Sequence, residues 1–425
     1  MADVLVIGAG VAGMKASLLL ASAGRQVHLV ESSSVIGGRL IRCEDIFPAM
    51  ECATCMVSPM QQEVLRNDLI NVITLAEILS IEGSIGDFRV RIRKQASCVD
   101  PVACIGCAEC WNACPVEISN EFEENLSSRK AISVPCAGAL PNVPWIDREH
   151  CLRWNGDDNC SLCADACVFA AVDYSEVDSE FDITVSDIIL STGYQPAPGE
   201  VFEKFQLGIS PGVFTASEFE RYYSSNGPTS GELVMKNGLK PESAAIIVHA
   251  DGAGSYSSIN TMYSLKFLHY LHKKLPDIRP VVFLDASYSP LTLEDRNHSK
   301  WLTAEADVIL YTEMPQVQTT EDNKTLSITC STADGGFQAE ADLLLLGTSM
   351  LPSEGTSRFI ELLGLQCSDE GFIQKSEPEL SSVSTSVPGI FTAGCAGGPQ
   401  DIASSVIEAA AAVGRVLADA NRGGQ

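Results

Sequence analysis

Residues 3–31 read DVLVIGAGVAGMKASLLLASAGRQVHLVE. An apolar run meets a Gly8-x-Gly10-x-x-Gly13 turn, an Ala/Leu-rich helical stretch follows, and a second apolar run ends on Glu31. The glycines have separate uses. Gly8 makes the tight turn, Gly10 lets backbone approach a pyrophosphate, and Gly13 lets helix pack on strand. Amides at the helix start then hold phosphate. Glu31 stands eighteen residues past Gly13, where a carboxylate accepts hydrogen bonds from ribose hydroxyls. Three glycines alone are a weak signal, but strand, turn, helix and acid in this order make a dinucleotide-binding unit.

Later stretches favour FAD over NAD. Gly37–Arg39, GGR, follows the acid closely and brings more backbone to a flavin diphosphate. Residues 387–417, VPGIFTAGCAGGPQDIASSVIEAAAAVGRVL, put a strand before a Gly-rich turn and a helix starting near Asp401. The positive end of that helix would face the flavin ring and favour its anionic reduced form. IILSTGY at 188–194 and DLLLLGTSMLP at 342–352 read as the two joints between a flavin domain and a second domain.

The chain has 425 residues, 45% hydrophobic and 20% charged, enough for two or three domains with real cores. Its net charge of −27 repels phosphate backbones, so nucleic acid is excluded as a partner. The longest apolar candidate for a membrane span, Val11 to Ala23, is short and broken by Lys15. No basic region precedes the first strand, so a secretory signal is not expected and a cytoplasmic location is. Of sixteen cysteines, thirteen lie between Cys43 and Cys167. In a cytosolic protein that density points to metal or redox chemistry rather than disulfides.

The thiols fall into runs. Residues 104–115, CIGCAECWNACP, carry Cys104, Cys107, Cys110 and Cys114; residues 151–174, CLRWNGDDNCSLCADACVFAAVDY, carry Cys151, Cys160, Cys163 and Cys167. Three close thiolates plus a distant fourth is the two-cluster ferredoxin arrangement, in which the last cysteine of each run ligates the other cluster. One 4Fe-4S cluster is therefore expected on Cys104, Cys107, Cys110 and Cys167, and a second on Cys151, Cys160, Cys163 and Cys114. The long gap between Cys151 and Cys160, and Val168 in place of a proline, depart from the pattern. A zinc ribbon is the alternative use of such thiols. The module, at 97–172, interrupts the flavin domain after FRVRIRK at 88–94, where Phe88, Val90 and Ile92 alternate with arginines as in a half-buried strand.

Residues 50–64, MECATCMVSPMQQEV, place Cys52 and Cys55 just before a helical stretch. They read as a dithiol, a buried structural pair, or part of a third 4Fe-4S cluster that Cys43, Cys136 or Cys395 would complete. Cys98 receives no role. None of the six histidines falls in a catalytic spacing, so they read as structural.

These motifs, together with FPAMECATCMVSPMQQEV, RKAISVPCAGALPNVPWIDREHC and GIFTAGCAGGPQDI, resemble the A subunit of heterodisulfide reductase, densely over residues 1–194 and 385–415. The resemblance implies an α/β fold with two Rossmann-like dinucleotide-binding domains of the disulfide-reductase flavoprotein type, similar to thioredoxin reductase, and an inserted bacterial-ferredoxin α+β module. The FAD-binding domain would comprise 1–96, 173–240 and 346–425, and the second nucleotide-binding-like domain 241–345. Carried over by position, Gly8, Gly10, Val11, Ala12, Gly13, Glu31, Ser32, Gly38, Arg39 and Leu40 would hold FAD. Thr192 and Gly193, then Gly394, Cys395, Asp401 and Ile402, would approach its ribityl–pyrophosphate side. Cys52 matches a position where the family keeps Cys or selenocysteine.

The methanogen-type subunits carry a further N-terminal domain and a second ferredoxin, which this sequence does not show. A Cys-rich stretch of their second domain is replaced by HADGAGSYSSINTMYSLKF at 249–267. The implied function is an electron-transfer subunit of a heterodisulfide-reductase-like complex in an anaerobe. It would pass, or split, electrons between partner subunits that carry iron–sulfur centres or link to hydrogenase or ferredoxin, as a homodimer within a hetero-oligomer. A free-standing NAD(P)H oxidoreductase delivering electrons to ferredoxin or a dithiol would instead need a nucleotide site around Gly252–Ser255, in DGAGSY. A scaffold subunit with an idle flavin is the third reading.

Overall fold

The computed structural model describes residues 3–251, 258–287, 302–320, 325–376 and 383–422. Gly252–Ser255 of the DGAGSY stretch therefore lie outside the described residues. The chain forms two units: Met1–Arg42, Ala53–Tyr194 and Pro352–Gln425 make one, and Cys43–Cys52 with Gln195–Leu351 make the other.

The first unit is built on a five-stranded parallel sheet in the order Ile390–Thr392, Asp187–Leu190, Val4–Ile7, Val27–Val30, Ile70–Ile73. Val4–Ile7 is buried along its whole length, as a central parallel strand covered on both faces must be, and this is why its sequence is a continuous apolar run. Helix Val11–Ser22 shares one core with the helix Ile402–Arg422 through small side chains, among them Ala12, Ala16, Ala409 and Ala412.

Three antiparallel strands, Ala76–Ser84, Asp87–Lys94 and Ser179–Val185, form a second sheet in this unit. Phe88, Val90 and Ile92 point into the core, while Arg91 and Arg93 pair with Asp182 (2.9 Å) and Glu180 (3.2 Å) across the ladder. The chain leaves this sheet after Lys94 and returns at Ser179, and these two residues are direct partners in the ladder. Between them lie two short two-stranded ladders, two short helices (Glu109–Ala113 and Leu162–Asp165) and a core of Ala96, Cys98, Val99, Ile132 and Ile146.

The second unit holds a seven-stranded sheet: Val213–Thr215, Leu343–Leu346, Ala244–Ile247, Val281–Asp285 and Asp307–Thr319 run parallel, and Leu326–Thr332 and Gly335–Ala341 add antiparallel. Residues 195–240, expected to continue the FAD-binding domain, belong here. Their strand Val213–Thr215 takes the edge beside Leu343–Leu346, so the units divide at Tyr194 and Leu351 rather than at 240 and 345.

Cys43–Cys52 also belongs to this unit. Buried Glu220 accepts from Glu44 N (2.8 Å) and pairs with buried Lys266, whose Nζ donates to Asp45 O (3.3 Å); Tyr270 Oη accepts from Asp45 N (3.1 Å). No pattern of apolar residues announces that anchor.

Candidate functional site

The first candidate site is the Gly-rich turn at the end of strand Val4–Ile7. Gly8 has φ +97°, and a Cβ there would stand 2.3 Å from Ser191 O. Gly13 is closed in the same way, 1.9 Å from Gly8 O, whereas a Cβ on Gly10 would meet only Gly38 Cα, at 3.9 Å. Gly38 in turn has φ +61°, and its Cβ would reach Gly10 Cα at 2.8 Å. The two glycine turns thus touch backbone to backbone, and the open side of Gly10 lies at the N-terminus of Val11–Ser22, where Gly10 is the N-cap and contributes no side chain. Such a helix start suits an anion.

Glu31 Oε2 accepts from Ala9 N (2.8 Å) and Oε1 from Ser33 N (2.9 Å) and Ser32 Oγ (3.4 Å). The carboxylate is therefore fixed beside the turn. Arg39 donates to Tyr194 O (3.4 Å) and lies over the Tyr194 ring at 5.5 Å. Leu40 packs on the core, and Gly193 has φ +73°. Thr192 is bound through its hydroxyl to Thr356 (2.6 Å).

The C-terminal turn is held by a network that no motif announces. Gly394 N donates to Glu408 Oε2 (3.1 Å), and Lys375 Nζ donates to Glu408 Oε1 (2.5 Å). Asp401 caps the following helix, accepting from Ser404 N (2.6 Å), and the helix itself begins at Ile402. Cys395 is largely buried, and burial pushes its thiol up to about 11. Glu408 was findable only as a lone acid inside an alanine-rich run.

The second candidate site lies in residues 95–178. One cavity is lined by Cys151, Cys160, Cys163 and Cys114, and another by Cys104, Cys107, Cys110 and Cys167. Each therefore draws three thiols from one run and the last thiol from the other. Two backbone amides point at sulfur, Gly106 N to Cys104 Sγ (3.4 Å) and Ala171 N to Cys167 Sγ (3.3 Å). Tyr174 Oη is 3.1 Å from Cys163 Sγ. Arg153 covers the Tyr174 ring at 4.1 Å and donates to Cys160 O (3.0 Å). Neither Tyr174 nor Arg153 belongs to a recognisable spacing.

Burial raises the Cys110 thiol to about 11 and moves those of Cys151 and Cys163 up as well, so anything bound as thiolate there must displace protons. Among the described residues, no three His, Cys, Asp or Glu side chains converge as on a single ion. The thiols instead stand around volumes.

Cys52 ends the ladder Asp45–Ile46/Glu51–Cys52, and Cys55 lies in the first turn of Ala53–Arg66 rather than before it; both are exposed. Cys98 is buried and takes no part in either cavity lining; its thiol is pushed up to about 11 by burial. Buried His249 is shifted down by its burial. No described helix is long and apolar enough to cross a membrane.

The family model described as FAD dependent oxidoreductase matches residues 3–118. The chain is 31% identical to the A subunit of the H(2):CoB-CoM heterodisulfide,ferredoxin reductase of Methanothermobacter marburgensis, over 97% of its own length and 63% of the relative's. It is also 31% identical to the iron-sulfur A subunit of the CoB–CoM heterodisulfide reductase of Methanocaldococcus jannaschii, with the same coverages. It thus spans under two thirds of these relatives. Thioredoxin reductase of Lactococcus lactis shares the fold, with a TM-score of 0.54 at 12% identity over 98% of each chain. Over nearly all of its own length the chain is similar to the A subunit of heterodisulfide reductase, and its residues 3–118 to FAD dependent oxidoreductases.

Proposed function

We propose that this heterodisulfide-reductase-like chain is an electron-transfer subunit that holds FAD at the paired glycine turns and two 4Fe-4S clusters in the thiol cavities. The observation that carries it is the exchange of Cys114 and Cys167 between the two cavities. That exchange is the ligation pattern of two-cluster ferredoxins. Flavin supplies two-electron chemistry and the clusters one-electron transfer, and the protein supplies position and electrostatics.

The residues divide that work. Gly10 and the Val11–Ser22 amides take the pyrophosphate, with Val11, Ala12 and Gly13 forming the first helical turn, and Glu31 takes the ribose. Gly38, Arg39 and Leu40 lie across the turn, Thr192 and Gly193 stand at the end of the neighbouring strand, and Gly394, Cys395, Asp401 and Ile402 make up the far turn. Cys104, Cys107, Cys110 and Cys167 bind one cluster; Cys151, Cys160, Cys163 and Cys114 bind the other. The Gly106 and Ala171 amides stabilise charge on the Cys104 and Cys167 sulfurs. Partner subunits supply and remove the electrons, with splitting of pairs at the flavin as the family's implied variant. A third cluster using Cys52 and Cys55 remains part of this reading.

Anaerobic reconstitution followed by iron, acid-labile sulfide and flavin analysis tests the assignment. Two clusters in the cavities, a third where Cys52 and Cys55 hold one, and one FAD per chain are expected. Stoichiometric zinc without sulfide defeats it, and iron for only two clusters removes the third.

One observation favours a second reading, NADH oxidation. In the second unit, strand Ala244–Ile247, helix Ser258–Lys274 and strand Val281–Asp285 form a β-α-β unit that ends on an acid, as a dinucleotide-binding unit does. Bleaching of the flavin by NADH at catalytic speed supports it; reduction by dithionite alone removes it.

A further inference from the structure

We propose that the face around Cys104, Cys107, Cys110 and Cys167 docks a one-electron carrier protein whose redox centre is ringed by lysine and arginine. The inference rests on the cluster reading above and adds which of the two cavities meets the partner, and what that partner looks like.

The two cavities differ in their surroundings. Val102 and Ile105 bracket Cys104, and Val168 follows Cys167. These three are 61–92% exposed, against 38–47% for Leu152, Trp154 and Leu162 near the other cavity. Ile105 and Phe169 both line the cavity with Cys107 and Cys167, so the two stretches meet on one face. Large apolar side chains held this far into water mark a surface that a partner covers. The other cavity is lined by Arg153 and Tyr174, which stack on each other at 4.1 Å, an arrangement that suits a relay more than a docking site.

Charge names the partner. No lysine or arginine occurs from residue 95 to 128, or from 154 to 203, whereas exposed Asp100, Glu109 and Asp165 lie within these stretches. An apolar patch inside an anionic field selects a cationic rim and repels another copy of a chain carrying −27. Transfer across this face moves one electron: the thiolate-bound centre is oxidised by one, the carrier is reduced by one, and no bond changes.

The reconstituted full chain, reduced with dithionite and desalted, is mixed with ferric cytochrome c as the basic-rimmed probe, and separately with a small uncharged quinone. Iron and sulfide are assayed in every sample. The cytochrome rate should fall as ionic strength passes ~0.15 M, where the screening length is ~8 Å. The pair V102K/V168K should slow it about tenfold, the lower end of steering effects. Replacing exposed Ile209 of the second unit, Ile209→Lys, should leave it unchanged, and quinone rates should not move. Equal rates in V102K/V168K and the native chain, with iron and sulfide intact, overturn the docking face alone, as does equal slowing by Ile209→Lys. Native protein holding zinc and no sulfide overturns the cluster reading, and the docking face with it.

Discussion

Cys114 lines the same cavity as Cys163, not the one lined by Cys110, its neighbour four residues earlier in the chain. The short helix Glu109–Ala113 accounts for this. It carries Cys110 on one side and delivers Cys114, in extended backbone just past its end, to the other.

Replacing Cys114 by serine should therefore empty the cavity of Cys151, Cys160 and Cys163 and spare the other. Iron and sulfide should each fall by about four per chain, and Cys167→Ser should give the same fall from the opposite cavity. Electron paramagnetic resonance of the reduced variants would tell the two survivors apart. Identical spectra would contradict the exchange.

Glu31 is the second test. Its carboxylate holds Ala9 N at 2.8 Å and stands where a ribose would be met. Glu31→Ala should weaken FAD binding about ten- to a hundredfold, the range for losing hydrogen bonds to a charged group. Flavin fluorescence on titration of the apoprotein reads this directly, and an unchanged dissociation constant would remove Glu31 from the cofactor site.

The buried pair Lys266–Glu220 holds the Cys43–Cys52 segment. Burial opposes the Lys266 charge, but Glu220 beside it moves the pKa up, so the lysine stays a cation. Glu220→Gln should cost about 3–5 kcal/mol, because it strands that cation, and the double replacement by methionines should cost much less. Denaturant unfolding of the single and double variants compares them. A double variant as unstable as the single one would show that packing, not charge, is at stake.

Cys395 gives a pH signature. Burial raises its thiol to about 11, with Glu408 and Asp401 adding to the effect. The folded state thus favours the protonated thiol. Its contribution to stability is whole below the ordinary thiol range near 9, and is lost as pH rises through about 11. Peptide mapping after brief iodoacetamide treatment should find exposed Cys367 labelled at pH 8 and Cys395 nearly untouched, with labelling rising steeply above pH 10. Prompt labelling of Cys395 at pH 8 would contradict the burial.

What could be read in advance follows the range of the interactions involved. The first β-α-β unit is local: Gly8 and Gly13, where a Cβ would strike backbone, and Glu31, whose carboxylate holds Ala9 N, lie within one short stretch. Cys114 and Cys167 line the cavities that the two-run ferredoxin pattern would assign them, a pattern written in the local spacing of each run. The unit boundary was legible at the joints IILSTGY and DLLLLGTSMLP, which contain Tyr194 and Leu351, but not in the assignment of residues 195–240. Residues 195–240 have no periodicity that distinguishes one sheet edge from another, and Cys43–Cys52 is claimed by Lys266 and Glu220, more than 150 positions away. Lys375 and Glu408, 33 positions apart, meet only after folding. Such long-range polar pairs leave no mark in a linear pattern.

Lys94 and Ser179 are partners in one ladder, so the thiol-bearing segment begins and ends at almost the same place. Besides that shared ladder the segment meets its host through a few polar contacts, Arg42 with Glu124 (3.0 Å) and Ile36 N with Leu140 O (2.9 Å) among them. Its length can change without shifting the register of the parallel sheet, because both of its ends sit on adjacent strands of the separate antiparallel ladder.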